Sequence, residues 1–232
     1  MRRLQKYFDF MSRGIFVAIG GSESENTLKQ LIDLVGNDIN LLLITAATSY
    51  KADAENKYVN IFSGIGCQVN CINAENRNEF DIDENFKKLA DADVVFFCGG
   101  DQSNISSSLL GTEFLTRMNK RIKKGLVVAG TSAGAMVFSS HMIYGGKDIP
   151  RISPGLSFLP NIIIDTHFEE RNRMDRLNAA VGMGGGRIGI GISEDTAVFI
   201  CGNNISVMGE GNATLVTIDG HKVLKSGDKF KI

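Results

Sequence analysis

The stretch VVAGTSAGAMVF, residues 127–138, joins an apolar run to a turn of small residues and then to a helix-like segment. Its first residues are typical of a buried strand, and Gly130 and Gly134 flank Ser132 in a G-x-S-x-G pattern. Such a pattern places the serine at a sharp strand-to-helix turn, where only small neighbours allow the close backbone approach. The stretch therefore predicts one strand–helix unit of an α/β fold. The alternative is a tight turn in which Ser132 only caps the helix.

Similar units precede this stretch. Apolar runs, each followed by a polar or helical segment, occupy residues 14–21, 39–47, 67–73 and 93–101. Helical patterns lie around residues 27–35, 52–62 and 103–123. Continuous runs of Val, Ile, Leu and Phe that alternate with helices indicate a parallel sheet covered on both faces. In such sheets the ligand site lies at the carboxyl ends of the strands, which predicts a site at the loops 20–22, 99–102 and 130–134.

The last third of the chain differs. An apolar run at residues 162–168 precedes a helical pattern at 171–181, and β-rich segments then alternate with hairpin signals at 202–204 and 219–220. Hairpins join antiparallel strands. We therefore predict a single domain over residues 1–232, an α/β three-layer sandwich with a mostly parallel sheet and antiparallel strands near the C-terminus.

The composition excludes several classes of function. The 232 residues carry a formal net charge of −1, so no strong field predicts binding to nucleic acid or to a membrane surface. Residues 1–13 contain basic side chains without a long apolar segment, which predicts neither a signal sequence nor a membrane span. The four cysteines include one CxxxC spacing without a second Cys or His pair. We therefore expect no metal, no other cofactor and a reducing, cytoplasmic location.

A nucleophilic serine needs a base, and the chain has three histidines. His141 falls in the predicted helix after Ser132 and would point away from the turn. His221 falls in a predicted hairpin turn, where solvent exposure is the simplest interpretation. His167 ends an apolar run and therefore lies at the carboxyl end of a strand, which makes it the preferred base. The amide of Ala133, at the start of the helix, would face a developing oxyanion.

The residue pattern alone does not identify the acidic residue that orients the base. Asp165 can share a strand face with His167, and Glu194 follows another predicted strand, but spacing alone does not choose between them. The sequence candidates are Asp148, Asp165, Glu169, Glu170, Glu194 and Asp195.

Four segments in this order resemble cyanophycinase and the wider serine peptidase family S51, which also contains aspartyl dipeptidase. They are FCGGDQSNI (97–105), AGTSAGAMVFSSHMI (129–143), IIIDTHFEERNRMDRL (162–177) and GIGISEDTAVFI (189–200). The resemblance covers nearly the whole chain. It implies a fold like that of the class I glutamine amidotransferases, a serine exopeptidase activity on a peptide substrate, and a homodimer.

The resemblance also implies roles for individual residues. Ser132 becomes the nucleophile, His167 the general base and Glu194 the orienting acid, with Asp148 as the second choice for the acid. The amides of Gly100 and Ala133 form the implied oxyanion hole. The positions implied to line the substrate pocket are Gln102, Asp165, Thr166, Arg171, Arg173 and Arg176.

The implied substrate is cyanophycin, a polyaspartate backbone with arginine on each side-chain carboxylate, from which such enzymes release β-aspartyl-arginine dipeptides. Arginines in the pocket suit its carboxylates, and Asp165 with Glu169 or Glu170 suits its guanidinium. A related dipeptidase acting on other aspartyl or β-aspartyl peptides is the alternative. A catalytically silent binding module on the same fold is a third interpretation.

Two positions depart from the family pattern: Thr166 stands where Gln is usual, and Ser193 where Asp is frequent. Both departures put the dipeptide preference in doubt, and the connection 146–160 is shorter than is typical. Helix geometry places Arg173 and Arg176 about 60° apart, with Arg171 at the start of the helix. The alternative for this run is a solvated helix surface with local ion pairs.

Overall fold

The computed structural model describes residues 14–184 and 187–232. The segment for which the sequence predicts no signal, residues 1–13, lies outside this part of the chain. The strands are β1 (Ile15–Ile19), β2 (Asn40–Ile44), β3 (Gln68–Ile72), β4 (Val94–Phe97), β5 (Val127–Thr131), β6 (His141–Gly145), β7 (Arg151–Pro154), β8 (Ile162–Thr166), β9 (Ile188–Ile192), β10 (Thr196–Cys201), β11 (Asn204–Gly209), β12 (Ala213–Thr217), β13 (Gly220–Leu224) and β14 (Lys229–Lys231). The helices are α1 (Glu25–Val35), α2 (Lys51–Gly64), α3 (Arg77–Phe80), α4 (Asp83–Asp91), α5 (Gln102–Leu109), α6 (Glu113–Ile122), α7 (Ala133–Met136) and α8 (Met174–Gly182).

The main sheet has eight strands in the order β14-β11-β10-β1-β5-β4-β2-β3. The strands from β1 to β3 in this order pair in parallel, whereas β10, β11 and β14 add antiparallel strands at the other end. Because β1, β5 and β4 are parallel neighbours, their carboxyl ends meet at one edge of the sheet. The loops after these three strands therefore lie together.

The main sheet separates two hydrophobic cores, because successive side chains along each strand point to opposite faces of the sheet. In β1, Ile15, Val17 and Ile19 face the core that α1 and α2 cover. Phe16 and Ala18 face the opposite core, which α4, α5 and α6 cover together with a second sheet. The predicted α/β sandwich with a mostly parallel sheet and antiparallel C-terminal strands is confirmed.

The second sheet has the order β13-β12-β9-β8. Within it β8 and β9 are parallel, with Thr166 opposite Ile192, so the residues after both strands emerge side by side. Helix α8 packs its buried Leu177 and Val181 against this sheet. A separate two-stranded ribbon, β6–β7, lies between α7 and β8 in the chain.

Three local predictions were wrong. The helix predicted over 103–123 is interrupted at Gly111, and Thr112 caps the following α6 through a bond from the amide of Leu115 to its hydroxyl.

The helix after Ser132 ends after one turn, because the carbonyls of residues 137 and 138 accept amides from residues 156 and 159 instead. His141 therefore lies in β6, exposed and hydrogen-bonded to Arg187. Helix α8 begins at residue 174 rather than 171.

Within the described residues, no helix combines the length and the apolar character needed to cross a membrane.

Candidate active site

The turn after β5 holds Ser132 in a backbone conformation that is rare for a residue with a side chain, with φ 53° and ψ −117°. Its glycine neighbours allow the sharp turn: a Cβ at Gly130 would lie 2.3 Å from the carbonyl oxygen of Gly134. A Cβ at Gly134 would lie 2.2 Å from the carbonyl oxygen of Phe97. Strain of this kind persists only where the surroundings enforce it, and it is frequent at functional sites. The turn has the geometry of a nucleophile elbow.

His167 meets the serine directly. Its Nε2 atom lies 2.8 Å from Oγ of Ser132. The histidine follows the last residue of β8 and takes a positive φ of 48°, and its amide donates to the carbonyl of Gly20 at 2.9 Å. The second sheet therefore supplies the base, and the main sheet supplies the serine.

Glu194 completes the line of hydrogen bonds. Its Oε1 atom lies 2.5 Å from Nδ1 of His167. Hydrogen bonds from His167 and Ser22 lower the pKa of the Glu194 carboxyl, so it stays ionised opposite the ring. Among the six carboxylates that the sequence left open, the structure brings this one to the histidine. Asp148, the second choice, lies exposed in the β6–β7 connection.

The end of β1 and the loop that follows it contact all three residues of this line. The carbonyl of Ile19 accepts the amide of Ser132 at 2.9 Å, and the carbonyl of Gly20 accepts that of His167. The side chain of Ser22, in the same loop, contributes to the lowered pKa of the Glu194 carboxyl. The sequence predicted that loop 20–22 borders the site but not these contacts, because backbone carbonyls leave no pattern in a sequence.

Asp195, the residue before β10, holds the β1–α1 loop in place through hydrogen bonds. Its amide donates to the carbonyl of Gly21 at 2.9 Å. Its Oδ1 accepts the amide of Ser24 at 2.8 Å and the hydroxyl of Thr27 at 2.7 Å. Asp195, a sequence candidate for the orienting acid, therefore holds the start of α1 in place and does not contact the histidine.

Two backbone amides lie in the turns around the serine: that of Ala133, the next residue, and that of Gly100, which follows Gly99, where an added Cβ would lie 3.8 Å from Oγ of Ser132. Ala133 begins α7, and Gly100 lies in the loop after β4. A hydrogen bond of 2.8 Å from the amide of Asp101 to the carbonyl of Ala47 holds this loop in place. Neither the amide of Gly100 nor that of Ala133 donates to an acceptor within residues 14–184 and 187–232. Free amides near a nucleophile can accept a developing negative charge.

Asp165 is fully buried and forms an ion-pair cluster. Arg176 donates to it through Nε at 2.8 Å and also through Nη2, while Arg173 donates to it through Nη1 at 2.9 Å. The remaining Nη1 of Arg176 donates to the carbonyl of Gly146 at 3.0 Å. A buried carboxylate needs such partners, because desolvation penalises an unpaired charge.

This cluster corrects the predicted pocket. Asp165 and Arg176 use their polar atoms within the fold, and they link β8 to α8 and to the β6–β7 ribbon. Thr166 is also fully buried, and its hydroxyl has no partner in the described part of the chain. Asp165 and Arg176 therefore pair within the fold, and the Thr166 hydroxyl is unpaired but buried, in contrast to the expectation that these residues line an open pocket.

The other predicted pocket residues are more accessible. Arg171 is exposed in the turn between β8 and α8, and its charge contributes to the lowered pKa of Glu194. Gln102 is half-buried at the start of α5, and its amide donates to the carbonyl of Ile143 at 2.8 Å. Ser193 is buried, with a hydroxyl that lacks a partner among the described residues.

The described residues contain no group of three or more His, Cys, Asp and Glu side chains that could hold a metal ion. The side chains and amides around Ser132 can themselves carry out acid–base chemistry. Nε2 of His167 can accept the proton of the Ser132 hydroxyl, and Glu194 can stabilise the resulting imidazolium. Along the chain the order is serine, histidine, acid, which differs from the order in α/β-hydrolases.

Comparison with known proteins identifies a family. The profile of peptidase family S51 matches residues 16–208. A cyanophycinase of Geminocystis herdmanii is 33% identical over 219 residues, which are 88% of this chain and 80% of that protein. A cyanophycinase of Trichormus variabilis is 35% identical over 186 residues, which are 76% of this chain but only 62% of that longer protein.

A similar fold is known from a solved structure. The crystal structure of a peptidase from an acI-B1 Actinobacterium superposes with a TM-score of 0.80 over 97% of this chain and 100% of that chain, at 20% identity. The family match spans most of the described fold, including the elbow, the histidine and the glutamate. The chain belongs to peptidase family S51.

Proposed function

We propose that this peptidase is a serine exopeptidase that hydrolyses cyanophycin to β-aspartyl-arginine dipeptides. The observation that carries the proposal is the unbroken line from Oγ of Ser132 through the ring of His167 to Glu194, with distances of 2.8 and 2.5 Å. The substrate class is supported by relatives named cyanophycinase, one of which aligns with 88% of the chain.

The reaction begins when Nε2 of His167 takes the hydroxyl proton of Ser132 and Oγ attacks the carbonyl carbon of the scissile bond. The carbonyl electrons move to oxygen, and the amides of Gly100 and Ala133 donate hydrogen bonds to the resulting oxyanion. The imidazolium then gives its proton to the leaving nitrogen as the carbon–nitrogen bond breaks. Glu194 stabilises the imidazolium throughout through Nδ1.

Hydrolysis of the acyl-enzyme repeats these steps with water. His167 takes a proton from the attacking water, and a second oxyanion forms at the same two amides. Collapse of this intermediate returns the proton to Oγ of Ser132 and releases the dipeptide with a free carboxylate. No cofactor is needed to balance this sequence, because the protons move only between the substrate, water and His167.

Recognition of an acidic, arginine-bearing substrate is assigned to the turn that follows His167. The guanidinium of Arg171, and Nε and Nη2 of Arg173, have no hydrogen-bond acceptor among the described residues. Arginine binds carboxylates bidentately. Glu169 and Glu170 are exposed in the same turn, where their carboxylates suit a substrate guanidinium.

A direct assay tests the substrate. The enzyme and its Ser132→Ala variant are incubated with insoluble cyanophycin, with β-aspartyl-arginine peptides and with α-aspartyl dipeptide substrates. Soluble β-aspartyl-arginine from cyanophycin in the wild type alone is the expected result. Hydrolysis of the α-aspartyl substrates without this product would assign the enzyme to other aspartyl peptides. No hydrolysis of any substrate, with no labelling of Ser132 by a fluorophosphonate, would indicate a silent binding module.

The proposal includes a homodimer, which the resemblance to the family implies, and a cytoplasmic location, which the cysteine pattern favours. The four cysteines are free thiols, which suits a reducing compartment. Size-exclusion chromatography with light scattering should give a mass near twice that of the chain, and a monomer at assay concentration would refute the dimer.

A further inference from the structure

A buried carboxylate that the catalytic steps do not use lies directly behind the elbow. Glu23 belongs to the β1–α1 loop, and its side chain is 2% exposed. Its Oε2 lies 2.5 Å from the hydroxyl of Thr131, the residue before Ser132. Its Oε1 accepts the hydroxyl of Tyr58 at 2.6 Å and the ammonium of Lys57 at 3.1 Å.

Three donors converge on this one carboxyl group, whose two oxygens can accept all three hydrogen bonds. Burial and the charge of Glu23 raise the pKa of the Tyr58 hydroxyl, so the phenol keeps the proton that it donates. Lys57 is half-exposed and compensates the buried charge from the solvent side. A buried charge with this many partners is costly to disturb, since removing one donor leaves the carboxylate under-satisfied.

The position of Glu23 connects two parts of the site. Its own loop supplies the carbonyl of Gly20, which accepts the amide of His167, and the preceding strand β1 supplies the carbonyl of Ile19, which accepts the amide of Ser132. Its carboxylate holds the side chain of Thr131, which pairs with Ile19 at the end of β5. The strained φ of the serine has to be enforced by such neighbours.

We propose that Glu23 is a positioning residue: through Thr131 it fixes the elbow to the β1–α1 loop, so that Oγ of Ser132 stays in line with His167. Glu23 does not touch the reacting atoms. This inference rests on the proposed role of Ser132 as nucleophile. A loss of the Glu23–Thr131 bond should slow attack by Ser132 without weakening substrate binding, so kcat should fall while KM stays unchanged.

The experiment uses a pair of matched variants at Thr131. Thr131→Val keeps the shape and removes the hydroxyl, whereas Thr131→Ser keeps the hydroxyl and removes the methyl group. The rate of fluorophosphonate labelling of Ser132 and the kinetics of peptide hydrolysis are measured for both, for Glu23→Gln and for the double variant Glu23→Gln/Thr131→Val. Melting temperatures monitor folding, and the Thr131 pair carries the test if Glu23→Gln does not fold.

We expect the labelling rate and kcat to fall about 10- to 100-fold in Thr131→Val and Glu23→Gln, because even a small displacement of a reacting group slows the reaction. Thr131→Ser should stay within about threefold of the wild type, and the double variant should be no slower than Glu23→Gln because both remove one interaction. Wild-type rates in Thr131→Val would overturn the positioning role alone. A wild type that neither labels nor hydrolyses peptides would overturn the nucleophile assignment and this role with it.

Discussion

The α-carbon of Gly21 lies against the imidazole of His167: a Cβ at this position would come within 2.3 Å of Cε1 and 2.6 Å of Nε2. The glycine also has a φ of 104°, which side chains rarely adopt. The ring is therefore held between a backbone without a side chain and the hydrogen bonds to Ser132 and Glu194. This contact fixes the direction in which Nε2 points.

Gly21→Ala should inactivate the enzyme, because the new methyl group must displace the ring from the serine. We expect kcat to fall at least about 100-fold, together with about 1–3 kcal/mol of backbone strain in the free energy of unfolding. Gly66→Ala is the matched control: Gly66 also has a positive φ, 91°, but no atom lies within 4 Å of its added Cβ. The control should lose similar stability and keep its kcat. Full activity in Gly21→Ala would refute the contact.

Glu194→Gln tests the orienting acid. Loss of the charge opposite Nδ1 of His167 should lower kcat by about 100- to 10,000-fold, measured with any peptide that the wild type hydrolyses. Asp148→Asn, in the exposed β6–β7 connection, should leave kcat unchanged. The assignment would be wrong if the Asp148 variant lost activity and the Glu194 variant kept it.

Arg176→Met should destabilise the fold, because it leaves Asp165 buried and under-paired. The expected loss is about 3–5 kcal/mol in the free energy of unfolding, measured by denaturant titration. Arg171→Met, at an exposed position of the preceding turn, should change this free energy by less than about 0.5 kcal/mol but raise KM for acidic peptides. Equal stability of the two variants would show that the buried cluster does not hold the fold together.

Acid should release the contacts of Asp195. Burial opposes ionisation of this carboxyl, but its bonds from Ser24 and Thr27 outweigh burial and lower its pKa. Its ionised form therefore stabilises the folded state above the ordinary aspartate pKa of about 3.9, and that stabilisation is lost as the pH falls through the lowered value. Asp195→Asn should make the free energy of unfolding depend less on pH between about 5 and 2.

The control for this titration is Asp33→Asn, on the exposed face of α1. It should retain the wild-type slope of unfolding free energy against pH. An Asp195→Asn variant with the wild-type slope would mean that other carboxylates account for the acid sensitivity.

The sequence predicted the parts of the site that follow strands. The small residues around Ser132 indicated correctly that this serine follows a strand, β5. The apolar run before His167 indicated in the same way that the histidine follows β8. The choice of Glu194 needed the family resemblance, because six carboxylates had comparable spacing and only the fold shows that β8 and β9 emerge together. The break at Gly111 had a local signal in the glycine and the following threonine cap.

Other features had no signal of this kind. A sequence does not show whether a charge is paired, so Asp165 and Arg176 resembled pocket residues although they bond each other inside the fold. The carbonyls of Ile19 and Gly20 that hold the serine and histidine belong to the backbone and do not depend on residue type. The short α7 was also hidden, because distant amides of residues 156 and 159 take the carbonyls that would extend it.

The central claim is that Ser132, activated by His167, forms the covalent intermediate. The most direct measurement is peptide mass spectrometry of the enzyme after treatment with a fluorophosphonate, for the wild type, Ser132→Ala and His167→Ala. We expect one adduct on the peptide that contains Ser132, none in Ser132→Ala and a strongly reduced amount in His167→Ala. An adduct on a different residue, or equal modification of Ser132→Ala, would contradict it.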